Sequence, residues 1–244
     1  MRCQPHSPHQ VYNWLKNKQA CLLCDEAADG TLPICTNCEA ELPWLSGHCQ
    51  VCALPLPSHG LVCGGCLKKP PSFTKVEVPW RYAFPIDSLI TRFKHQAKWP
   101  LGRLLGELLS HHLRHAFDDG LRKPDLLLPV PLADKRQRQR GFNQAALLSE
   151  WLSPPLQLPL QKDWLLRVID TPAQQQLDAA TRKRNLRKAF ALAPGSQVSG
   201  LHVALVDDVL TTGATAESLA HLLKKAGAAR VDVYCLARTP KPGD

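Results

Sequence analysis

The chain has 244 residues, of which 44% are hydrophobic and 21% charged. That is enough for one sizeable core and a small appendage, and no stretch approaches the roughly eighteen apolar residues that a membrane-spanning helix needs. The formal charge of +9 favours a polyanionic partner without identifying it. The start, MRCQPHSPHQVYNWLKNKQ, has neither an apolar centre nor a small-residue cleavage site, so no signal peptide, no membrane insertion and a cytoplasmic location are expected.

Val11, Trp14 and Leu15, with Lys16 and Lys18 elsewhere, suggest a short amphipathic helix within residues 1–18. Eight of the ten cysteines then fall into four Cys-x-x-Cys pairs: Cys21/Cys24, Cys35/Cys38, Cys49/Cys52 and Cys63/Cys66. This is metal-ligand spacing, because each such turn converges two sulfurs on one tetrahedral ion and two turns complete a site. Two structural zinc ions are expected, with all positions filled by sulfur and none open for chemistry. Eight thiolates on two zincs lower the balance to about +5. The pairs can be joined sequentially or cross-braced, and both remain open. Leu32, Ile34, Trp44, Leu45, Leu54 and Leu56 are few for a core, so metal binding worth on the order of 10 kcal/mol per site would supply much of the folding energy. Two readings of the ribbons stand: structure alone, or structure that also grips nucleic acid or protein. Of the two remaining cysteines, Cys3 and Cys235, the second lies in an expected strand and reads as a core residue.

Lys68 to Ser72, with Pro70 and Pro71, reads as a linker. It divides an N-terminal segment and double zinc ribbon, 1–72, from a larger domain, 73–244. In that domain Leu101, Leu104, Leu105, Leu108, Leu109 and Leu113 recur at helical spacing. Leu126 to Val130 reads as a buried strand, 142–152 as a helix and Ser153 to Pro159, with its three prolines, as a loop. Val203 to Asp207 reads as a strand. Ala214 to Ala226 reads as a helix that buries Leu219, Leu222, Leu223 and Ala226 and stops at Gly227, and Val231 to Leu236 as a third strand. The closing strand-helix-strand argues for a parallel α/β sheet.

The stretch VALVDDVLTTGAT, Val203 to Thr215, carries the chemistry. Asp207 and Asp208 sit where a buried strand emerges, the edge at which open α/β sheets bind ligands. Thr211, Thr212, Gly213, Ala214 and Thr215 lead into a helix N-terminus, which offers unpaired N–H groups and partial positive charge. The loop suits a phosphate monoester, and the acids suit the hydroxyls of its sugar, directly or through Mg²⁺. The stretch resembles the signature of the type I phosphoribosyltransferases, whose ligand is 5-phosphoribosyl-1-pyrophosphate (PRPP). The resemblance implies ribose hydroxyls on Asp207 and Asp208 and the 5-phosphate on Thr211 to Thr215. It also implies pyrophosphate on the loop holding Lys135, Arg136 and Arg140. Arg167, Thr171, Gln174, Gln175, Gln176, Arg182 and Asn185 would then lie in a mobile loop over the site.

With the cysteine array, Phe93-Lys94, the PVPL…KR…RGFNQ block and DDVLTTGAT, nearly the whole chain resembles the ComF/GntX family. That resemblance implies a type I phosphoribosyltransferase-like parallel sheet with helices on both faces, plus the double zinc ribbon. It further implies binding of PRPP with Mg²⁺ and of single-stranded DNA during natural transformation, alongside a helicase-type DNA-uptake partner. Purine-specific members of the phosphoribosyltransferases often carry an acid two residues before the loop glycine, where this chain has Thr211, so purine-base transfer by that route is not expected. Two functions therefore stand side by side. One is a binding protein on an enzyme scaffold. The other is an active transferase that releases pyrophosphate on attack by another base or an amine. Lys135, Arg136, Arg138 and Arg140, and Arg182, Lys183, Arg184, Arg187 and Lys188, form two acid-free clusters that would track a phosphodiester backbone if both edge one cleft. Taken alone, the clusters are better read as one solvated helix face and one pyrophosphate loop. Phe142, Trp164 and Phe190 are the nearby aromatics, few for base stacking.

Overall fold

The computed structural model describes residues 19–58, 60–169 and 188–241. The amphipathic segment expected before residue 19 lies outside them. Two compact units divide between Leu42 and Pro43.

In the first unit, Asp25 N donates to Cys21 O at 2.9 Å and Asp25 is left-handed, φ 63°. This tight turn brings Cys24 back beside Cys21. Helix α1 (Thr36–Ala40) starts directly after Cys35, whose sulfur accepts the Cys38 amide hydrogen at 3.5 Å. The larger unit repeats the same turn. Ala53 N donates to Cys49 O at 2.9 Å, Ala53 has φ 52°, and helix α2 (Gly64–Lys68) follows Cys63.

The larger unit is built on a parallel sheet. Its described strands are β1 (Lys75–Glu77), β2 (Trp80–Arg81), β3 (Leu126–Pro129), β6 (His202–Leu210) and β7 (Arg230–Arg238), in the order β1-β7-β6-β3 with β2 also on β7. Strands β4 (Leu165–Arg167) and β5 (Phe190–Leu192) form a separate antiparallel pair. The unit's described helices beyond α2 are α3 (Ile86–Gln96), α4 (Trp99–Asp118), α5 (Asp134–Arg140), α6 (Gln144–Leu156) and α7 (Ala214–Lys225). Among the described residues no helix is long and apolar enough to cross a membrane.

Both sheet faces are covered because the strands are apolar at successive positions rather than alternating. On one face Leu126, Leu128, Val203, Leu205, Val231 and Val233 share a core with Leu219, Ala220 and Leu223 of α7. On the other, Leu127, Ala204, Val206 and Tyr234 are buried beneath α4 and α6, with Phe117 of α4 meeting Tyr234 at 6.4 Å between ring centroids. The six leucines of α4 are all buried, as their spacing requires. Gly102 lets this helix run against Phe93 of α3, whose ring a Cβ would meet at 2.5 Å.

Several boundaries differ from expectation. The stretch 153–159 is not all loop, because α6 continues through Pro154 and Pro155 to Leu156. Burial of Leu156 and Leu158 and the closure at left-handed Gln157, with Ser153 Oγ donating to Leu158 O at 2.6 Å, outweigh the missing proline donors. Strand β6 runs on to Leu210, since Val209 and Leu210 pair with Ala237 and Arg238. The linker boundary placed near residue 72 falls inside the larger unit. Ser72 donates twice to the Glu217 carboxylate, from N at 2.7 Å and from Oγ at 3.1 Å, and Val76 N donates to Val51 O at 2.9 Å. Ala53, Val51 and Cys52 pack on the main core. The second cysteine set therefore draws part of its folding energy from that core as well as from metal.

Candidate functional site

The pairing left open by the sequence is sequential. The sulfurs of Cys21, Cys24, Cys35 and Cys38 lie within 4.8 Å of one another, as do those of Cys49, Cys52, Cys63 and Cys66. Four thiolates bound at about 2.3 Å around a tetrahedral zinc sit about 3.8 Å apart. Cys24 and Cys35 Sγ are 3.7 Å apart, and so are Cys52 and Cys63 Sγ. The donors thus fit two structural zinc ions. Cys235 is fully buried in β7, as expected of a core residue, while Cys3 lies outside the described residues.

Asp207 and Asp208 lie inside β6, two residues before its end, rather than beyond it. Alternation along the strand therefore sends their side chains toward opposite faces. Asp208, 8% exposed, meets the helices behind the sheet. Lys94 Nζ of α3 is 2.9 Å from its Oδ1, and Gln144 Nε2 of α6 donates to its Oδ2 at 3.2 Å. Asp207 is backed by Cys235 of β7, and its Oδ1 accepts the Asp208 amide hydrogen at 2.8 Å. Burial, reinforced by the Asp208 charge, pushes the Asp207 carboxyl above the usual carboxylate range. Lys94 answers the Asp208 carboxylate, and the Asp207 carboxylate, on the other face, can take a cation or hydroxyl donors.

The RGFNQ block is explained residue by residue. Gly141 ends α5 in the left-handed region, φ 81°. Phe142 packs on Phe93, ring centroids 5.6 Å apart. Asn143 caps α6, its Oδ1 accepting from Ala145 N at 3.0 Å while its Nδ2 donates to Val130 O at 3.0 Å. Gln144 then reaches Asp208, and its Oε1 is buried without a hydrogen-bond partner. Arg140 is half-buried. Burial holds its guanidinium below the usual range, the Asp208 charge works against that, and Arg136 adds to it. Lys135, Arg136 and Arg138 are exposed on α5.

After β6 the chain turns through exposed Thr211 and Thr212 to Gly213, the N-cap of α7, at φ 76°. A Cβ there would touch nothing within 4 Å, so the backbone conformation, not space, calls for glycine. Thr212 Oγ1 accepts from Ala214 N at 3.4 Å. Beneath the loop, buried Arg238 donates from Nη1 to Leu210 O at 3.0 Å and to Thr211 O, and from Nε to Cys52 O at 3.0 Å. A cavity of about 770 Å³ opens between this loop, the second cysteine set and the Pro70-Pro71 segment.

The structure thus gathers Asp207, Asp208 and Arg140, with Thr211 to Thr215 leading away from the strand that carries the acids. Lys94, Gln144 and Arg238 were not assigned roles from sequence, although Phe93-Lys94 and RGFNQ flagged the first two. Arg167 lies in β4 with its guanidinium over the Phe190 ring, 5.5 Å from the centroid. Lys188 is described and exposed. Thr171, Gln174, Gln175, Gln176, Arg182, Lys183, Arg184, Asn185 and Arg187 lie outside the described residues.

A family model described as a double zinc ribbon domain matches residues 15–67, and one described as a phosphoribosyl transferase domain matches residues 167–243. The DNA utilization protein YhgH of Escherichia coli is 38% identical over 221 residues, covering 90% of this chain and 96% of that protein. Competence protein F of Haemophilus influenzae is 38% identical over 207 residues, 84% of this chain and 90% of that protein. Competence protein ComFC of Bacillus subtilis is 27% identical over 243 residues, 91% and 96%. With two four-cysteine sites ahead of a parallel sheet whose β6-α7 turn carries the DDVLTTGAT signature, the chain belongs to the ComF/GntX family, a double zinc ribbon joined to a phosphoribosyltransferase-type domain.

Proposed function

We propose that the chain binds PRPP with Mg²⁺ and single-stranded DNA, and acts in the cytoplasm during DNA uptake, receiving the strand from a helicase-type partner. The observation that carries this is the paired carboxylate on β6 followed at once by the glycine-capped turn into α7. The turn offers backbone N–H groups and threonine hydroxyls to a phosphate. Asp207 and Asp208 take the ribose hydroxyls and the metal. Lys135, Arg136 and Arg140 neutralise the pyrophosphate, Arg136 and Arg140 through paired N–H donors. The relatives' names, a DNA utilization protein and two competence proteins, and the basic balance of the chain support the DNA arm.

Binding is favoured over transfer to a purine base. Thr211, where a purine-specific transferase often carries its acid, is an exposed hydroxyl and no acceptor for a proton at neutral pH. The discriminating experiment is thermal stability of the zinc-replete protein with PRPP, with Mg²⁺ and with both, beside a pyrophosphate-release assay over a panel of bases and amines. A melting-point rise with both together, lost in Asp207→Asn/Asp208→Asn and without pyrophosphate release, supports the binding function. Release with one acceptor assigns the enzyme instead, and no rise in the wild type refutes both.

A further inference from the structure

Trp99 opens α4 with 44% of its surface exposed, although tryptophan is rarely left so open. Its ring is fixed from below. The indole centroid lies 4.7 Å from that of Phe142, with planes inclined at 43°. Phe142 rests on buried Phe93 at 5.6 Å, and Phe93 on Trp151 at 5.8 Å. The result is a series of four rings in tilted contact with a solvent-facing cap, assembled from α3, α4, the turn between α5 and α6, and α6. It abuts the candidate site through its own neighbours. Lys94, beside Phe93, and Gln144, two residues after Phe142, both hold Asp208.

The segments that supply the upper rings are cationic. Residues 94–99 contain Lys94 and Lys98, residues 135–142 contain Lys135, Arg136, Arg138 and Arg140, and neither stretch holds an acid. One exposed indole held from below by Phe142, among cations of which Lys94 already answers Asp208, matches single-stranded nucleic acid, where each base offers a π-face and each linkage an anion. An apolar peptide would use the ring and leave the cations unanswered.

Resting on the DNA-binding function proposed above, we infer that Trp99, backed by Phe142, is a stacking platform for an unpaired base of single-stranded DNA. The adjoining phosphates lie against Lys98 and the exposed Arg138 of α5. The platform is separate from the phosphate turn at Gly213, so a variant at Trp99 leaves PRPP recognition intact.

The test uses the full zinc-replete chain and fluorescence anisotropy with a thymidine oligonucleotide about 15 nucleotides long, beside an abasic strand of equal length and charge. Trp99→Ala is expected to weaken binding of the thymidine strand about 5- to 100-fold while binding the abasic strand as the wild type does. Trp99→Phe should retain affinity within a few-fold. The melting temperature and its rise with PRPP and Mg²⁺ should be unchanged in both. Should Trp99→Ala prove unstable, Trp99→Leu, which still covers Phe142, serves in its place with the same expected loss. Equal affinity of wild type and variant for the thymidine strand overturns the platform and leaves the DNA-binding function standing. A wild type that binds neither strand overturns both. Self-association of the wild type that disappears in Trp99→Ala, with DNA affinity unaltered, assigns the ring to a second copy of the chain and likewise overturns the proposal.

Discussion

Arg238 Nε donates to the carbonyl oxygen of Cys52 at 3.0 Å, so one guanidinium joins the second cysteine set to the turn that follows the paired acids. Its Nη1 serves Leu210 O, Thr211 O and Thr239 O at the same time. Carbonyls at a strand end that lose a buried charged donor have no substitute. Arg238→Met should destabilise the larger unit by about 2–4 kcal/mol, read as a lower urea midpoint. The PRPP-dependent rise in melting temperature should shrink as well, because the turn loses its floor. A variant as stable and as responsive as the wild type would show that the bridge is incidental.

Asp207 gives the unliganded protein a pH dependence of known sign. Its carboxyl is raised in the folded state by burial and by Asp208. Below about pH 4, its unfolded value, it is protonated folded or unfolded and exacts nothing. As pH climbs, the unfolded chain ionises freely while the folded site resists, and stability is lost. Asp207→Asn removes that loss. Its stability should be flatter between pH 5 and 8 and higher than the wild type at pH 8 by on the order of 2 kcal/mol, while its response to PRPP and Mg²⁺ disappears. Stability gained with binding lost is what a strained binding site predicts.

Lys94 occupies one oxygen of Asp208 and so competes with any cation arriving there. Lys94→Gln keeps a donor and removes the charge. It should lower the stability of the unliganded protein by about 2 kcal/mol, since a buried carboxylate loses its counter-ion. Mg²⁺ alone should then raise the melting temperature more than it does in the wild type. A smaller magnesium effect in the variant would mean that lysine and metal do not share this carboxylate.

These relationships mark what the sequence discloses and what it withholds. Period and punctuation were enough for α4, α7, β3, β6 and β7, because their leucines, valines and the closing Gly227 answer to purely local rules. The signature at Val203 to Thr215 exposed the acids and the turn for the same reason. The strand's continuation to Leu210 was hidden, because the partners that prolong it, Ala237 and Arg238, arrive only at the end of the chain. Pro154 and Pro155 spoke for a loop, and tertiary burial of Leu156 overrode them. Lys94 meets Asp208 across 114 positions (208 less 94), Arg238 meets Cys52 across 186, and Trp99 meets Phe142 only through the packing of two helices. No local pattern encodes such pairs.

The two cysteine sets should fail differently. Cys21, Cys24, Cys35 and Cys38 lie in the small unit before Pro43, whereas Cys49, Cys52, Cys63 and Cys66 lie in the unit that carries the sheet. Each replacement pair should reduce bound zinc from two to one per chain. Cys24→Ser/Cys38→Ser should unfold only its own unit, whose folding depends on metal, and leave the main thermal transition and the PRPP response in place. Cys52→Ser/Cys66→Ser should lower the main transition, because the loop carrying Cys52 holds Arg238 and shares the core of the larger unit through Val51 and Ala53. It should also weaken the PRPP response, since the loop whose Cys52 carbonyl anchors Arg238 then loses its metal support. Calorimetry with zinc quantified on the same samples separates the outcomes. If both variants leave the main transition where it was, the second set does not support the phosphate turn, and the bridge from Cys52 to Arg238 carries no energetic coupling.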